Sequence, residues 1–127
     1  MRVLCVTAEL YPWVKSGGLG DVAAALPPAL IALGVDTRLL LPGFPGFLDA
    51  FAGITDVIRL QTPFASERVR VGLARLPGTE RLAYLVDQPA FYDRAGNPYA
   101  SPDGRDWPDN HRRFGLFSWV AAELARG

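Results

Sequence analysis

"VKSGGLGDVAAALPPALIALG", Val14 to Gly34, places a lysine, a Gly-Gly pair, a third glycine and an aspartate at the head of an apolar helical repeat. Glycine costs a helix interior about 1 kcal/mol relative to alanine. Gly17, Gly18 and Gly20 therefore need a reason, either a turn or something that approaches the backbone closely. Beyond them Leu19, Val22, Ala23, Leu26, Leu30 and Leu33 recur at three- and four-residue spacing, which predicts a helix over 19–33. Pro27 and Pro28 are expected to kink it or split it in two, and Gly34 to end it.

Outward from this stretch, "RVLCVTA" (Arg2–Ala8) is a near-continuous apolar and β-branched run. It reads as a strand buried on both faces, as in a parallel sheet. "DTRLLLP" (Asp36–Pro42) reads as a second strand. Strand, helix and strand within about 40 residues make a βαβ unit. "GFPGFLDAFAG" holds a turn and one helical turn, and strands follow in "ITDVIRLQ", "ERVRVGLARL" and "RLAYLVD". In the second of these Arg68 and Arg70 alternate with Val69 and Val71, and Pro77-Gly78 turns the chain into the third. The connection from Gln88 to Pro108 is rich in Pro, Gly, Asp and Tyr and too long for a plain link, and loops of that length often carry function. A last helix in "DNHRRFGLFSWVAAELARG" puts Phe114, Phe117, Ala121 and Leu124 on one face, with Asp109 placed to cap it and Gly127 to stop it. No strand follows to complete the pattern, so a partial α/β domain is expected.

Composition narrows the class. The chain has 127 residues, half of them hydrophobic, with a formal net charge of zero. That suits one packed core and argues against a nucleic-acid partner or an anionic membrane surface. The one cysteine, Cys5, lies in an apolar run, which fits a structural thiol in a reducing compartment. One arginine and a short apolar stretch before Glu9 make neither a signal peptide nor a membrane span, so a cytoplasmic location is expected.

A helix N-terminus with unpaired N–H groups and a positive dipole end favours phosphate. A Walker A loop would need the lysine after the glycines, whereas here the order is Lys15-Ser16-Gly17-Gly18. "GLGDVA" (Gly18–Ala23) matches the dinucleotide pattern G-x-G-x-x-A. Pro12 and Trp13 separate it from the strand, however, and Asp36 stands at the wrong end of the second strand to hold a ribose. A nucleotide-sugar site remains, alongside a purely structural turn. No Ser/His/Asp arrangement and no metal-ligand spacing occurs, so neither a metal nor another cofactor is expected. The lone histidine, His111, reads as a surface or capping residue, and Glu67 and Glu80 read as solvated.

Several separated blocks resemble bacterial glycogen synthase and plant starch synthase. "VLCVTAELYPWVKSGGLGDVAAALPPAL" is similar to that family's signature K-[ST]-G-G-L-[AG]-D-V. "GVDTRLLLPGFP", "YLVDQPAFYDRAGNPY" and "WPDNHRRFGLFSWVAAELA" follow in the family's order. The resemblance implies a GT-B glycosyltransferase of two facing Rossmann-like domains, with residues 1–127 as the first part of the N-terminal one and a C-terminal nucleotide-binding domain outside it. It implies a mostly parallel sheet with a hairpin excursion. It also implies retaining transfer of glucose from ADP-glucose, a donor substrate rather than a cofactor, to an α-1,4-glucan such as glycogen.

Carried over by position, the resemblance gives Lys15 a contact with ADP-glucose and lets Gly17 and Gly18 lie against the diphosphate and sugar. Packing is the competing reason for the two glycines. Asp21 matches a signature acid near the sugar, or serves the helix dipole alone. Tyr99, in "GNPY", matches a tyrosine lining the sugar or acceptor cleft, with packing on its own loop as the alternative. Glu9, where the first strand ends, is an acceptor-side candidate. No catalytic residue is assignable within the chain, which is expected to be inactive by itself. A stand-alone module that binds a glucan or nucleotide sugar without turnover is the other reading.

Overall fold

The structure, a computed structural model, describes residues 1–127. The two apolar runs pair as expected: β1 (Arg2–Val6) lies parallel to β2 (Asp36–Pro42), Arg2 opposite Asp36 and Val6 opposite Leu40. Between them runs α1 (Gly18–Ala32). A short helix α2 (Pro45–Ala50) follows β2, started by a proline whose missing N–H is no loss in a first turn. The hairpin β3 (Thr55–Thr62) and β4 (Ala65–Arg75) then leads to β5 (Leu82–Asp87). A single turn, α3 (Pro89–Tyr92), opens the long connection to α4 (Asn110–Ala125).

All five strands form one mixed sheet in the order β1-β2-β5-β4-β3. β5 pairs parallel with β2, and β4 pairs antiparallel with both β5 and β3, so the hairpin excursion continues the same sheet. The carboxyl ends of β1, β2 and β5 share one edge. Leu39, Leu40 and Leu41 of β2 and Leu85 and Val86 of β5 are buried, which makes the centre of the sheet the apolar run a two-sided strand requires. Val69 and Val71 are fully buried while Arg68 and Arg70 are exposed, the alternation read from β4. Phe47 of α2, Tyr92 of α3 and Leu116, Phe117 and Val120 of α4 complete the core.

Three features refine the sequence reading. Within residues 1–127 β1 stands at the edge of the sheet, with Val3, Leu4 and Cys5 half-buried and Arg2 and Val6 exposed. α1 passes through Pro27 and Pro28 as one helix rather than two. Its sheet-facing strip is narrow: Gly20 and Pro27 are buried and Ala23 and Ala24 half-buried, while Leu19, Val22, Leu26 and Leu33 are exposed. The helix packs chiefly on β2, where its small residues make the contact and the leucine stripe is exposed. Cys5 is half-buried, and burial pushes its thiol up.

Candidate functional site

Three connections leave the shared carboxyl edge, the place where open α/β sheets hold ligands. They are the segment from Thr7 to Gly17, the start of α2, and the chain from Gln88 to Asp109. Together they line a cavity of about 740 Å³ that includes Trp13 to Lys15, Phe44 to Gly46, Asp93 to Pro98 and Arg113.

The first connection is a tight loop. Leu10 and Val14 exchange backbone hydrogen bonds at 2.8 and 3.1 Å, the Tyr11–Pro12 peptide is cis, and the Tyr11 N–H reaches the Gly20 carbonyl at 3.1 Å. Glu9 is 4% exposed and turned beneath the glycine stretch. Its Oε1 accepts the backbone N–H of Ser16 at 2.7 Å and of Gly17 at 3.1 Å. Its Oε2 accepts the Tyr99 hydroxyl at 2.5 Å. Burial pulls the Glu9 carboxyl up, but the bonds from Tyr99, Ser16 and Gly17 outweigh it and leave the group below its ordinary value. Burial and then the Glu9 hydrogen bond push the Tyr99 phenol up, so it stays a neutral donor.

At the mouth of α1 the reason for the glycines narrows. A Cβ at Gly17 or Gly18 would meet nothing within 4 Å, and neither residue has a positive φ. Packing within this chain therefore does not demand glycine at either position. Gly20 differs, since a Cβ there would touch Lys15 Cγ at 3.4 Å and the Tyr11 nitrogen at 3.5 Å. No side chain caps α1. Its first N–H groups, at Gly18, Leu19 and Gly20, have no acceptor within the helix.

Lys15 and Asp21 meet directly. The ammonium lies 3.0 Å from Oδ1 and 2.8 Å from Oδ2, with both side chains about half exposed, and 5.8 Å from the Tyr11 ring centroid. The hydrogen bond to Asp21 holds Lys15 above the usual lysine value. Asp21 thus steers the ammonium across the helix mouth.

The long connection carries the residues that sequence reasoning missed. Gly96 has φ +101°, and a Cβ there would fall 2.3 Å from the Ala100 carbonyl oxygen, so only glycine fits. Asn97 Oδ1 accepts the N–H groups of Tyr99 and Ala100, each at 2.8 Å, and Asn110 donates to the Tyr99 carbonyl at 2.8 Å. The Tyr99 ring packs on Phe114 with centroids 5.7 Å apart. Arg113, 1% exposed, donates to the carbonyls of Phe91 at 2.6 Å and Pro98 at 3.2 Å and to Asn110 Oδ1 at 2.7 Å. Burial lowers its pKa, and no carboxylate touches it; it acts as a pin between loop and helix.

Asp109 does not cap α4. Its carboxylate is gripped by Arg94 through two bonds of 2.7 Å, and Arg94 also lies 4.8 Å from the Trp107 ring centroid. Inside that clasp, Ala100 and Asp106 form an isolated antiparallel bridge. An asparagine two residues before a tyrosine signals the local Asx turn. Nothing local signals the bonds of Arg94 to Asp109, of Arg113 to Phe91 and Pro98, or of Glu9 to Tyr99, whose partners lie 15 to 90 residues away. His111 is exposed on the first turn of α4, Glu67 is exposed, and Glu80 pairs with Arg75 at 3.3 Å on the surface, so none of them joins the site. No helix is long and apolar enough to cross a membrane.

Comparison with known proteins places the chain in a family. The family model described as the starch synthase catalytic domain matches residues 2–127. A glycogen synthase of Francisella philomiragia is 47% identical over the whole chain, and one of Francisella tularensis subsp. novicida is 46% identical. The chain spans 26% of the length of each of these relatives. The solved catalytic domain of starch synthase IV from Arabidopsis thaliana, bound to ADP and acarbose, superimposes with a TM-score of 0.74 at 27% identity. That match covers 97% of this chain and 24% of the other. The chain belongs to the starch synthase catalytic domain family, and its mixed α/β sheet is part of that fold.

Proposed function

We propose that this chain forms the sheet edge that receives the activated sugar in a retaining glucosyltransferase. The enzyme moves glucose from ADP-glucose to the non-reducing end of an α-1,4-glucan. In this reading residues 1–127 supply the first part of the N-terminal Rossmann-like domain, and a second domain grips the nucleotide. The reaction belongs to the cytoplasm and needs no cofactor beyond the donor. The observation that carries the reading is the mouth of α1, where a Cβ at Gly17 or Gly18 would meet nothing within 4 Å and the nearby Lys15 is held by Asp21. Relatives named glycogen synthase, and a starch synthase bound to ADP and acarbose, support it.

The chemistry follows from charge. Departure of ADP leaves negative charge on the phosphates, and a fixed ammonium beside first-turn N–H groups stabilises that charge as it develops. Asp21 keeps Lys15 at the mouth and the two glycines let the diphosphate reach the backbone. The 740 Å³ cavity, with Tyr99 on the loop beside it, is the place for sugar rings. No group in this chain is assigned as a nucleophile or base.

The test uses the full-length protein that carries this chain. Lys15→Ala is expected to lower kcat/KM for ADP-glucose by roughly a hundredfold or more while glucan binding is unchanged. Running ADP-glucose beside UDP-glucose reads the donor preference. An unchanged kcat/KM for both donors overturns the reading.

A further inference from the structure

We infer that Glu9 is the positioning residue of the Lys15–Gly18 loop, and that the Tyr99 hydroxyl serves donor binding through Glu9 rather than by touching sugar. The inference rests on the donor site proposed above. Ser16, Gly17 and Gly18 are exposed, and neither glycine has a neighbour that would meet a Cβ within 4 Å. A Ser-Gly-Gly segment without packing has the conformational freedom of its glycines, and a ligand that needs one arrangement would have to bear the cost of ordering it. The two bonds to Glu9 Oε1 are the side-chain anchors on that backbone. They fix the peptide planes that lead into α1 and set the direction in which the N–H groups of Gly18 and Leu19 point.

Glu9 is itself held by the long connection. The Tyr99 hydroxyl bonds Oε2, and Tyr99 is fixed at its N–H by Asn97, at its carbonyl by Asn110 and at its ring by Phe114. Glu9 has no cation on it, since the Lys15 ammonium is bound to Asp21. What Glu9 meets is donors from its own loop, at Ser16 and Gly17, and from Tyr99, 90 residues further along the chain than Glu9, and it joins the two loops into one body. A carboxylate whose three hydrogen bonds all come from the chain is built to hold structure around a site.

The experiment compares Glu9→Ala, Glu9→Gln, Tyr99→Phe and the Glu9→Ala/Tyr99→Phe double variant in the full-length protein, with Lys15→Ala as control and melting temperatures recorded for each. Glu9→Ala is expected to raise the KM for ADP-glucose roughly tenfold or more, and Tyr99→Phe severalfold, with glucan KM unmoved. Glu9→Gln recovers most of the loss, because its amide oxygen still accepts both N–H groups. The double variant is no worse than Glu9→Ala, the mark of two residues acting through one contact. An equal Tyr99→Phe loss with and without Glu9 overturns the inference, as does a Glu9→Ala effect confined to glucan KM. Loss of donor affinity in Lys15→Ala but not in Glu9→Ala or Tyr99→Phe overturns it while the donor site stands. No loss in any variant overturns both.

Discussion

Gly18 and Gly96 show how differently two glycines can be used in one chain. At Gly18 a methyl group has open space and falls on the first residue of a helix, so alanine is sterically free. Gly18→Ala is expected to leave stability unchanged or raise it by up to about 1 kcal/mol, while ADP-glucose affinity falls roughly ten- to hundredfold as the methyl holds the phosphates off the backbone. Gly96→Ala does the reverse: φ +101° and the nearby Ala100 carbonyl make it cost about 1–3 kcal/mol. Urea unfolding beside donor titration separates the two. At this scale the sequence singled out Lys15 and the glycines because the signature is contiguous. The bond from Tyr99 to Glu9 was not legible, since nothing in either local stretch says that their loops meet. The same holds for the pairing of Lys15 with Asp21, which the resemblance gave separate roles and which the structure joins as an ion pair.

Elements were easier to read than contacts. β2 falls on Asp36–Pro42 as its apolar run implies, and β3, β4 and β5 fall within a few residues of their expected ranges. α1 is the instructive failure. Local chemistry at Pro27 and Pro28 argues for a kink or a split, because each ring removes a helical hydrogen bond, and the split does not occur. Pro27 is buried and joins the strip packed toward the sheet, so tertiary contact overrides propensity there. Pro28 is only partly buried and has no such compensation. Pro28→Ala is therefore expected to stabilise the fold by roughly 1–3 kcal/mol, and Pro27→Ala to gain less because it empties a packed position. Chemical denaturation midpoints of the two variants check the order. α4 teaches a related lesson: Asp109 has the right type and place for a cap, and Arg94 takes its carboxylate instead.

Across the whole molecule the sheet has a filled middle and a bare side. β1 offers an unpaired outer edge, and beside it α1 exposes Leu19, Val22, Leu26 and Leu33. An open edge next to an apolar helix face favours association of chains. Residues 1–127 expressed alone are expected to self-associate with rising concentration in sedimentation experiments. Calorimetry on the same preparation should find no tight ADP-glucose binding, because the chain carries one wall of the proposed cleft. Tight binding by a monodisperse preparation would refute the view that a second domain grips the nucleotide. The topology of the parallel half was legible from strand–helix–strand order. The join of the hairpin β3–β4 onto the same sheet through β5 was not, since it rests on pairing between distant strands.

The clasp between Arg94 and Asp109 has a practical corollary. Because it ties the two feet of the segment and the Ala100–Asp106 bridge closes a smaller ring within it, the exposed tip at Asp103-Gly104 is mechanically insulated from Tyr99. Such a tip is a ready port for a grafted epitope or dye, and natural changes in length can gather there without disturbing the register of the residues at its base.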